Sequence, residues 1–148
     1  MQMDFIQSKV DDLSKKYGTR NPFELAEFLN INVIHWDLHD EINGFYQYEK
    51  RNQIIFLNNN LSNDDQCVVC AHELGHAVLH RRSSVPFMRA NTLFSIDKIE
   101  VEANRFAAYL LIPDESLFDS YEQMTIYDIA TLCNVPVELA ELKFQGLF

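Results

Sequence analysis

Apolar side chains recur every three or four positions through the first eighteen residues, which is typical of an amphipathic helix. Gly18 is the predicted end of this helix, because glycine readily adopts the left-handed conformation found after helix C-termini. A second helix is predicted in "NPFELAEFLNI", where Asn21 can cap the N-terminus and Pro22 can occupy the first helical position. The chain therefore begins with two helices.

The spacing then changes from helical to strand-like. The segments "INVIHW", "GFYQYEK" and "NQIIFLN" are short, rich in β-branched and aromatic residues, and separated by Asp, Asn and Gly. These features predict three strands.

Helical spacing returns after the third strand. A long helix is predicted from about residue 63 to 81, with Ser62 and Asp65 resembling a capping box. An irregular segment, "RRSSVPFMRANTLFS", separates it from a helix in "DKIEVEANRFAAYLLIP", and two shorter helices are predicted around residues 125–133 and 136–144. Helices before and after a small sheet predict an α+β fold, with a three-stranded sheet packed against helices. Because no linker-like stretch interrupts it, the chain from 1 to 148 is expected to form one domain.

Composition and charge narrow the function classes. The net charge is -10, with 22 acidic and 12 basic residues, and the densest basic point is Arg81-Arg82. A DNA-binding regulator is therefore disfavoured, because nucleic-acid binding relies on Lys and Arg against phosphates. No apolar run approaches the roughly 20 residues of a membrane-spanning helix, the N-terminus lacks the pattern of a signal peptide, and three cysteines do not suggest a disulfide framework. We expect a cytoplasmic protein with no nucleic-acid or membrane partner.

The residues best suited to chemistry lie in "CAHELGHAVLH", residues 70–80, inside the long predicted helix. His72 and His76 are one turn apart and roughly 40° apart around the helix, so their imidazoles can converge on one zinc ion. Glu73 lies about 100° around the helix from His72, where it can take a proton from an attacking water. This HExxH spacing predicts zinc-dependent peptide hydrolysis with Glu73 as the general base.

A catalytic zinc site needs a third protein ligand and one open position. The following helix offers Glu100 at the edge of its apolar face, and Glu102 on a side expected to be more solvated. Glu100 is therefore the predicted third ligand, with Asn104 as a hydrogen-bond partner of one histidine. Glu102 is expected to pair with Arg105, although it stays the alternative ligand.

Other residues near the motif have simpler interpretations. His80 lies about 12 Å along the helix from His72, too far to share one ion with it, and is predicted to be structural or to support a ligand. Cys67 and Cys70 form a C-x-x-C spacing, which occurs in redox and zinc sites. They project on the helix face opposite the histidines, however, and are predicted to be buried thiols. The C-terminal segment resembles part of a helix-turn-helix but has Lys143 as its only basic residue, so a packing role is predicted.

The segment "CAHELGHAVLH", followed by "EVEANRFAAYLLIP", closely resembles the ImmA/IrrE family of zinc metallopeptidases, over about residues 43–113. The resemblance implies a thermolysin-like active-site helix. In that arrangement His72, His76 and Glu100 are the zinc ligands and Glu73 is the base. It also implies a protein partner, because the family acts on helix-turn-helix repressors of mobile elements or stress responses.

The expected function is therefore a zinc-dependent endopeptidase that cleaves a helix-turn-helix repressor. The alternative is a zinc-containing protein that inactivates a repressor by binding it, without hydrolysis. An extended substrate is expected to pair with the edge of the strand "NQIIFLN", which precedes the motif helix. Three tyrosines, Tyr46, Tyr48 and Tyr109, are candidate donors to the oxyanion, and the sequence does not separate them.

Overall fold

The computed structural model describes residues 4–82, 97–113 and 123–144, so most of "RRSSVPFMRANTLFS" lies outside the described residues. The predicted α+β class is confirmed in these ranges. None of the helices described there is long and apolar enough to cross a membrane. The elements are α1 (Phe5–Tyr17), α2 (Pro22–Phe28), β1 (Ile31–Trp36), β2 (Gly44–Glu49), β3 (Asn52–Asn58), α3 (Asn63–Leu79), α4 (Lys98–Leu111), α5 (Ile126–Cys133) and α6 (Val137–Lys143).

Local capping residues set the helix boundaries. Gly18 follows α1 with a φ of 68°, as predicted. The side chain of Asn21 accepts the backbone N–H groups at the start of α2, and Pro22 is the first residue of that helix. Ser62 accepts the N–H of Asp65 at the start of α3, which is one half of the predicted capping box. The sequence signals for helix starts are therefore satisfied by the expected side chains.

The sheet has the order β1-β3-β2 in the described part of the chain, with β3 parallel to β1 and antiparallel to β2. Both edges of β3 are thus paired, and the expectation that a substrate pairs with "NQIIFLN" is wrong. The sequence order misled here because β2, which precedes β3, folds back onto its other edge. The outer strand on that side is β2.

The outer edge of β2 faces the motif helix. The backbone N–H of Tyr46 in β2 donates a hydrogen bond to the carboxylate of Glu73 in α3. The pairing of β2 with β3 explains why the Tyr46 N–H points towards α3. The Asn58 N–H donates to the Asn43 carbonyl oxygen at 2.9 Å, so these two residues form a hydrogen-bonded pair. Hydrogen-bonded and non-bonded pairs alternate along an antiparallel ladder. Tyr46 lies three residues beyond Asn43, in a non-bonded pair, so its N–H points away from β3.

Asn58, only 2% exposed, fixes the connection between β1 and β2. Its side-chain nitrogen lies 3.3, 3.3 and 2.9 Å from the carbonyl oxygens of Leu38, His39 and Ile42. Its side-chain oxygen accepts the N–H of Asn60 at 3.0 Å. A buried amide with these partners is satisfied and holds the loop in place ahead of β2.

The core lies where α3 packs against the sheet on one side and α4 on the other. The two helices approach closely at Gly75, where an added Cβ would lie 3.0 Å from Phe106 Cβ and 3.2 Å from Ala103 Cα. A side chain at position 75 would therefore push α4 outward. This contact brings residues of α4 beside the HExxH segment.

A second close approach, of β2 to both β3 and α3, gives a test of the packing around Gly44. At Gly44 an added Cβ would lie 2.5 Å from the Phe56 carbonyl oxygen and 2.8 Å from Val69 Cγ1. Because the first of these atoms belongs to the backbone, we expect Gly44→Ala to lower the free energy of unfolding by about 1–3 kcal/mol, measured by urea unfolding. Gly18→Asn is the control, because nothing lies within 4 Å of that position and Asn tolerates the left-handed conformation. Equal stability of the two variants would contradict this packing.

Candidate metal centre

The structure brings His72, His76 and Glu100 together in the interior. Their exposed fractions are 5%, 7% and 3%. His72 Nε2 lies 3.2 Å from Glu100 Oε2, and His76 Nε2 lies 2.7 Å from Glu100 Oε1. The glutamate of α4 therefore lies between the two imidazoles of α3.

The close helix contact explains why these side chains meet. Gly75 lies between the two histidines in sequence, and Ala103 of α4 packs onto it. Glu100 and Asn104 are four residues apart on α4, so both project from the side of that helix that faces α3. Two small residues at the crossing thus let one turn of α4 reach both histidines.

His72 has a hydrogen-bond partner on its other ring nitrogen. Its Nδ1 lies 2.7 Å from Asn104 Oδ1. An amide oxygen only accepts hydrogen bonds, so the Nδ1 of His72 carries the hydrogen. The predicted contact between Asn104 and a histidine is confirmed, and Nε2 is the atom that His72 presents to Glu100.

Glu102 does not make the contact expected of it. Its Oε1 lies 2.9 Å from His80 Nε2, whereas Arg105 pairs with Asp4. The expected Glu102–Arg105 pair is therefore wrong. The reason is tertiary: α1 packs against α4, and this brings the Asp4 carboxylate to Arg105, a contact that helix spacing alone does not reveal.

Two sets of three groups in this cluster could hold a metal ion. The ligand atoms of His72, Glu73 and His76 all lie within 4.8 Å of one another, and Glu100 lies closer still to both histidines. Two ligands that bind zinc at about 2.0–2.1 Å in a tetrahedron are roughly 3.3–3.4 Å apart. The 3.2 Å between His72 Nε2 and Glu100 Oε2 is close to this spacing, whereas the 2.7 Å between His76 Nε2 and Glu100 Oε1 is shorter and the 4.0 Å between His72 Nε2 and Glu73 Oε2 is longer. Glu100 therefore lies nearer to His72 than Glu73 does, and its role as the third ligand stays a prediction.

The two glutamates have opposite electrostatic environments. Burial raises the pKa of Glu73 to about 8, although His76 and the Tyr46 N–H partly oppose this rise. Burial also acts to raise the pKa of Glu100, but hydrogen bonds and charge interactions with His72 and His76 outweigh it and bring that pKa to about 2. Glu100 is therefore an ionised carboxylate, and together with two imidazoles it forms a donor set that suits zinc.

Neither C-x-x-C cysteine belongs to the group of possible metal ligands found among the described residues. Cys70 is fully buried and Cys67 is half-buried, and neither forms a disulfide. Burial raises the pKa of both thiols, so they disfavour the thiolate form that binds metals. The predicted packing role is confirmed for Cys70.

The hydroxyls of Tyr46 and Tyr109 have partners outside the cluster. The Tyr46 hydroxyl lies 2.6 Å from the Arg81 carbonyl oxygen, and burial raises its pKa to about 12. The Tyr109 hydroxyl accepts a hydrogen bond from Arg105. The contribution of Tyr46 to the cluster is its backbone N–H, which could not be predicted from the sequence because a backbone contact leaves no trace in side-chain spacing.

In the metal-free protein, Glu73 is expected to make stability fall as pH rises. Its pKa is about 8 in the folded chain and close to 4.5 in the unfolded chain. Between these values the unfolded chain has lost a proton that the folded chain keeps, so a rise in pH favours unfolding. Glu73→Gln removes the titrating group and should therefore lose less stability between about pH 5 and pH 8 than the wild type, in urea unfolding with a chelator present. Parallel pH curves for the two proteins would show that Glu73 ionises as easily when folded.

Comparisons with known proteins match this chain to a family. The model of the peptidase M78 family, described as the IrrE N-terminal-like domain, matches residues 26–145. The "uncharacterized immunity region protein 2" of Bacillus phage phi105 is 54% identical over 140 residues, which cover 93% of this chain and 88% of that protein. Metallopeptidase ImmA of Bacillus subtilis (strain 168) is 32% identical over 147 residues, covering 96% of this chain and 85% of that one.

A solved structure supports the fold. A Mycobacterium tuberculosis transcriptional regulator superposes with a TM-score of 0.62 at 17% sequence identity. The match covers 98% of this chain and 48% of the regulator, so this chain corresponds to about half of that protein. The family model and the two relatives together show that the chain belongs to the ImmA/IrrE family of metallopeptidases.

Proposed function

We propose that this protein is a zinc-dependent endopeptidase that cleaves a helix-turn-helix repressor. The observation that carries the proposal is the position of Glu100 between His72 Nε2 and His76 Nε2, with a second buried carboxylate, Glu73, beside it. Two neutral nitrogen donors and one carboxylate form the ligand set of a catalytic zinc site. A purely structural zinc site would not need the additional carboxylate.

The residues around the site have distinct roles in this reaction. A zinc ion held by His72, His76 and Glu100 would supply Lewis acidity to the scissile carbonyl group and to the attacking water. Glu73 accepts a proton from that water and returns it to the nitrogen of the leaving amine. The Tyr46 N–H holds the Glu73 carboxylate in place.

The substrate would bind along β2. This strand has its outer edge beside Glu73, and an extended peptide can add to such an edge through backbone hydrogen bonds. That mode requires a substrate segment that is locally unfolded, such as a linker. The net charge of -10 also favours a basic partner, and a repressor is basic where it contacts DNA.

The relatives favour a repressor of a mobile element. One of them is named for the immunity region of a phage and the other is named a metallopeptidase. The reducing cytoplasm is the proposed location, because Cys67 and Cys70 form no disulfide.

The first test concerns the metal. We expect one zinc per chain in the wild type, and much less in Glu100→Ala, because that change removes the carboxylate that lies between both Nε2 atoms. Glu102→Ala should keep one zinc per chain when zinc is in excess, since Glu102 contacts His80 instead. Elemental analysis after dialysis against excess zinc gives the measurement. Zinc loss in Glu102→Ala together with zinc retention in Glu100→Ala would reverse the ligand assignment.

The second test concerns hydrolysis. The protein is incubated with the repressor encoded beside it, and fragments are identified by mass spectrometry. Glu73→Gln should bind zinc and keep its fold, but its cleavage rate should fall by about 10²–10⁴-fold, because the general base is lost. Glu27→Gln, at an exposed position of α2, is the matched control and should cleave at the wild-type rate.

A chelator should abolish cleavage by the wild type. Cleavage that persists with the chelator would exclude a metal-dependent reaction. If Glu73→Gln still relieves repression in cells without producing fragments, the alternative holds, and the protein inactivates the repressor by binding it.

A further inference from the structure

His76 is the first member of a series of contacts that leads from the centre towards solvent. Its Nδ1 lies 3.3 Å from His80 Nδ1, and His80 Nε2 lies 2.9 Å from Glu102 Oε1. The exposed fraction of the side chain increases along the series, from 9% for His76 to 11% for His80 and 30% for Glu102. The series therefore joins a buried imidazole to a carboxylate at the surface.

The chemistry of the three groups gives the series a direction. An ionised carboxylate can only accept hydrogen bonds, so His80 Nε2 must carry the hydrogen that points to Glu102. A neutral imidazole with its hydrogen on Nε2 has a lone pair on Nδ1. That lone pair can accept a hydrogen bond from His76 Nδ1, which leaves Nε2 as the atom that His76 presents to Glu100.

The end of α3 places His80 for this contact. The sequence predicts a helix to about residue 81, but α3 ends at Leu79 and His80 is its C-cap, with φ -133° and ψ 48°. The backbone N–H of His80 still donates to the His76 carbonyl oxygen at 2.7 Å. The two residues are thus joined through both backbone and side chain, and the His80 ring lies between His76 and Glu102.

We propose that Glu102 and His80 are positioning residues that fix the tautomer and ring orientation of His76 and thereby strengthen metal binding. Asn104 supports His72 in the same way through a single contact of 2.7 Å. Each motif histidine would then be held by its own partner from α4, directly in one case and through His80 in the other. This inference rests on the proposed function, because it requires a metal ion at the Nε2 atoms.

The dissociation constant for zinc, measured by competition with a chelator of known affinity, tests this role. Glu102→Ala and His80→Ala should each raise it on the order of 10- to 100-fold, as is usual when the hydrogen-bond partner of a metal ligand is lost. Glu141→Ala, an exposed charge-matched change on α6, should leave it unaltered. An unaltered constant in both Glu102→Ala and His80→Ala would overturn the proposal.

Conservative variants separate the effect of the hydrogen bonds that position His76 from the effect of the negative charge of Glu102. Glu102→Gln keeps an oxygen that can accept from His80 Nε2, and His80→Asn keeps an acceptor near the position of Nδ1. Both should bind zinc with nearly wild-type affinity. If Glu102→Gln binds zinc as weakly as Glu102→Ala, the charge of Glu102 acts rather than its hydrogen bond, and the proposal is overturned.

A double variant tests whether the two residues act in series. Once His80 is removed, Glu102 can no longer act on His76, so Glu102→Ala combined with His80→Ala should weaken zinc binding no more than His80→Ala alone. If the losses of zinc affinity in the two single variants add up in the double variant, Glu102 and His80 act independently, and the proposal that they act in series is overturned. Failure of the wild type to bind zinc would instead refute the proposed function, and so the two failures are distinguishable.

Discussion

The close approach of α3 and α4 at Gly75 is the constraint on which the candidate site depends. With an added Cβ there only 3.0 Å from Phe106 Cβ, even one methyl group would require α4 to shift. The glutamate of α4 must reach two histidines on neighbouring turns of α3, and its oxygens lie 3.2 and 2.7 Å from them. Such distances tolerate little displacement of one helix against the other. The glycine in "HELGH" is therefore needed for the close approach of α4, just as the histidines are needed to bind the metal.

The same packing gives two nearby glutamates different electrostatic characters. Glu73 and Glu100 are both almost fully buried, so burial alone would raise the pKa of each. Glu100 lies directly between two imidazoles, which lower its pKa to about 2. Glu73 has only a weaker opposing influence from His76 and one backbone N–H, and its pKa rises to about 8. One carboxylate is thereby suited to hold a cation and the other to exchange a proton, a division of roles that follows from environment rather than residue type.

Much of this could be predicted from the sequence, because it depends on local or periodic signals. The caps at Asn21 and Ser62 and the spacing of the HExxH motif are local. The position of Glu100, rather than Glu102, on the side of α4 that faces the histidines could be predicted from the apolar face of that helix, and Glu100 lies 3.2 Å from His72. The contact between Asn104 and His72 followed from the same face.

The errors share a physical cause, which is contact between segments distant in sequence. Arg105 pairs with Asp4, about a hundred positions away in the chain, so helix spacing gave it the wrong partner. The position of β3 at the centre of the sheet depends on how β1 and β2 pair with it. The alternation of apolar and polar residues within one strand does not show which strands lie beside it. The backbone N–H of Tyr46 reaches Glu73 only because β2 folds back along β3. Side-chain patterns carry no information about a contact of this kind.

Taken together, these contacts connect metal binding to the stability of the fold. Two carboxylates and two imidazoles are buried within one helix pair, and burying ionisable groups is costly unless they have partners. A cation bound between them would compensate their charges and add its binding free energy to folding, because an unfolded chain does not preform the site. The outward-facing edge of β2 is held against the same helix pair through Glu73. A metal ion that stabilises α3 against α4 would therefore also stabilise β2, the strand along which a substrate would bind. Metal binding and substrate binding would thus both depend on the packing of α3 against α4.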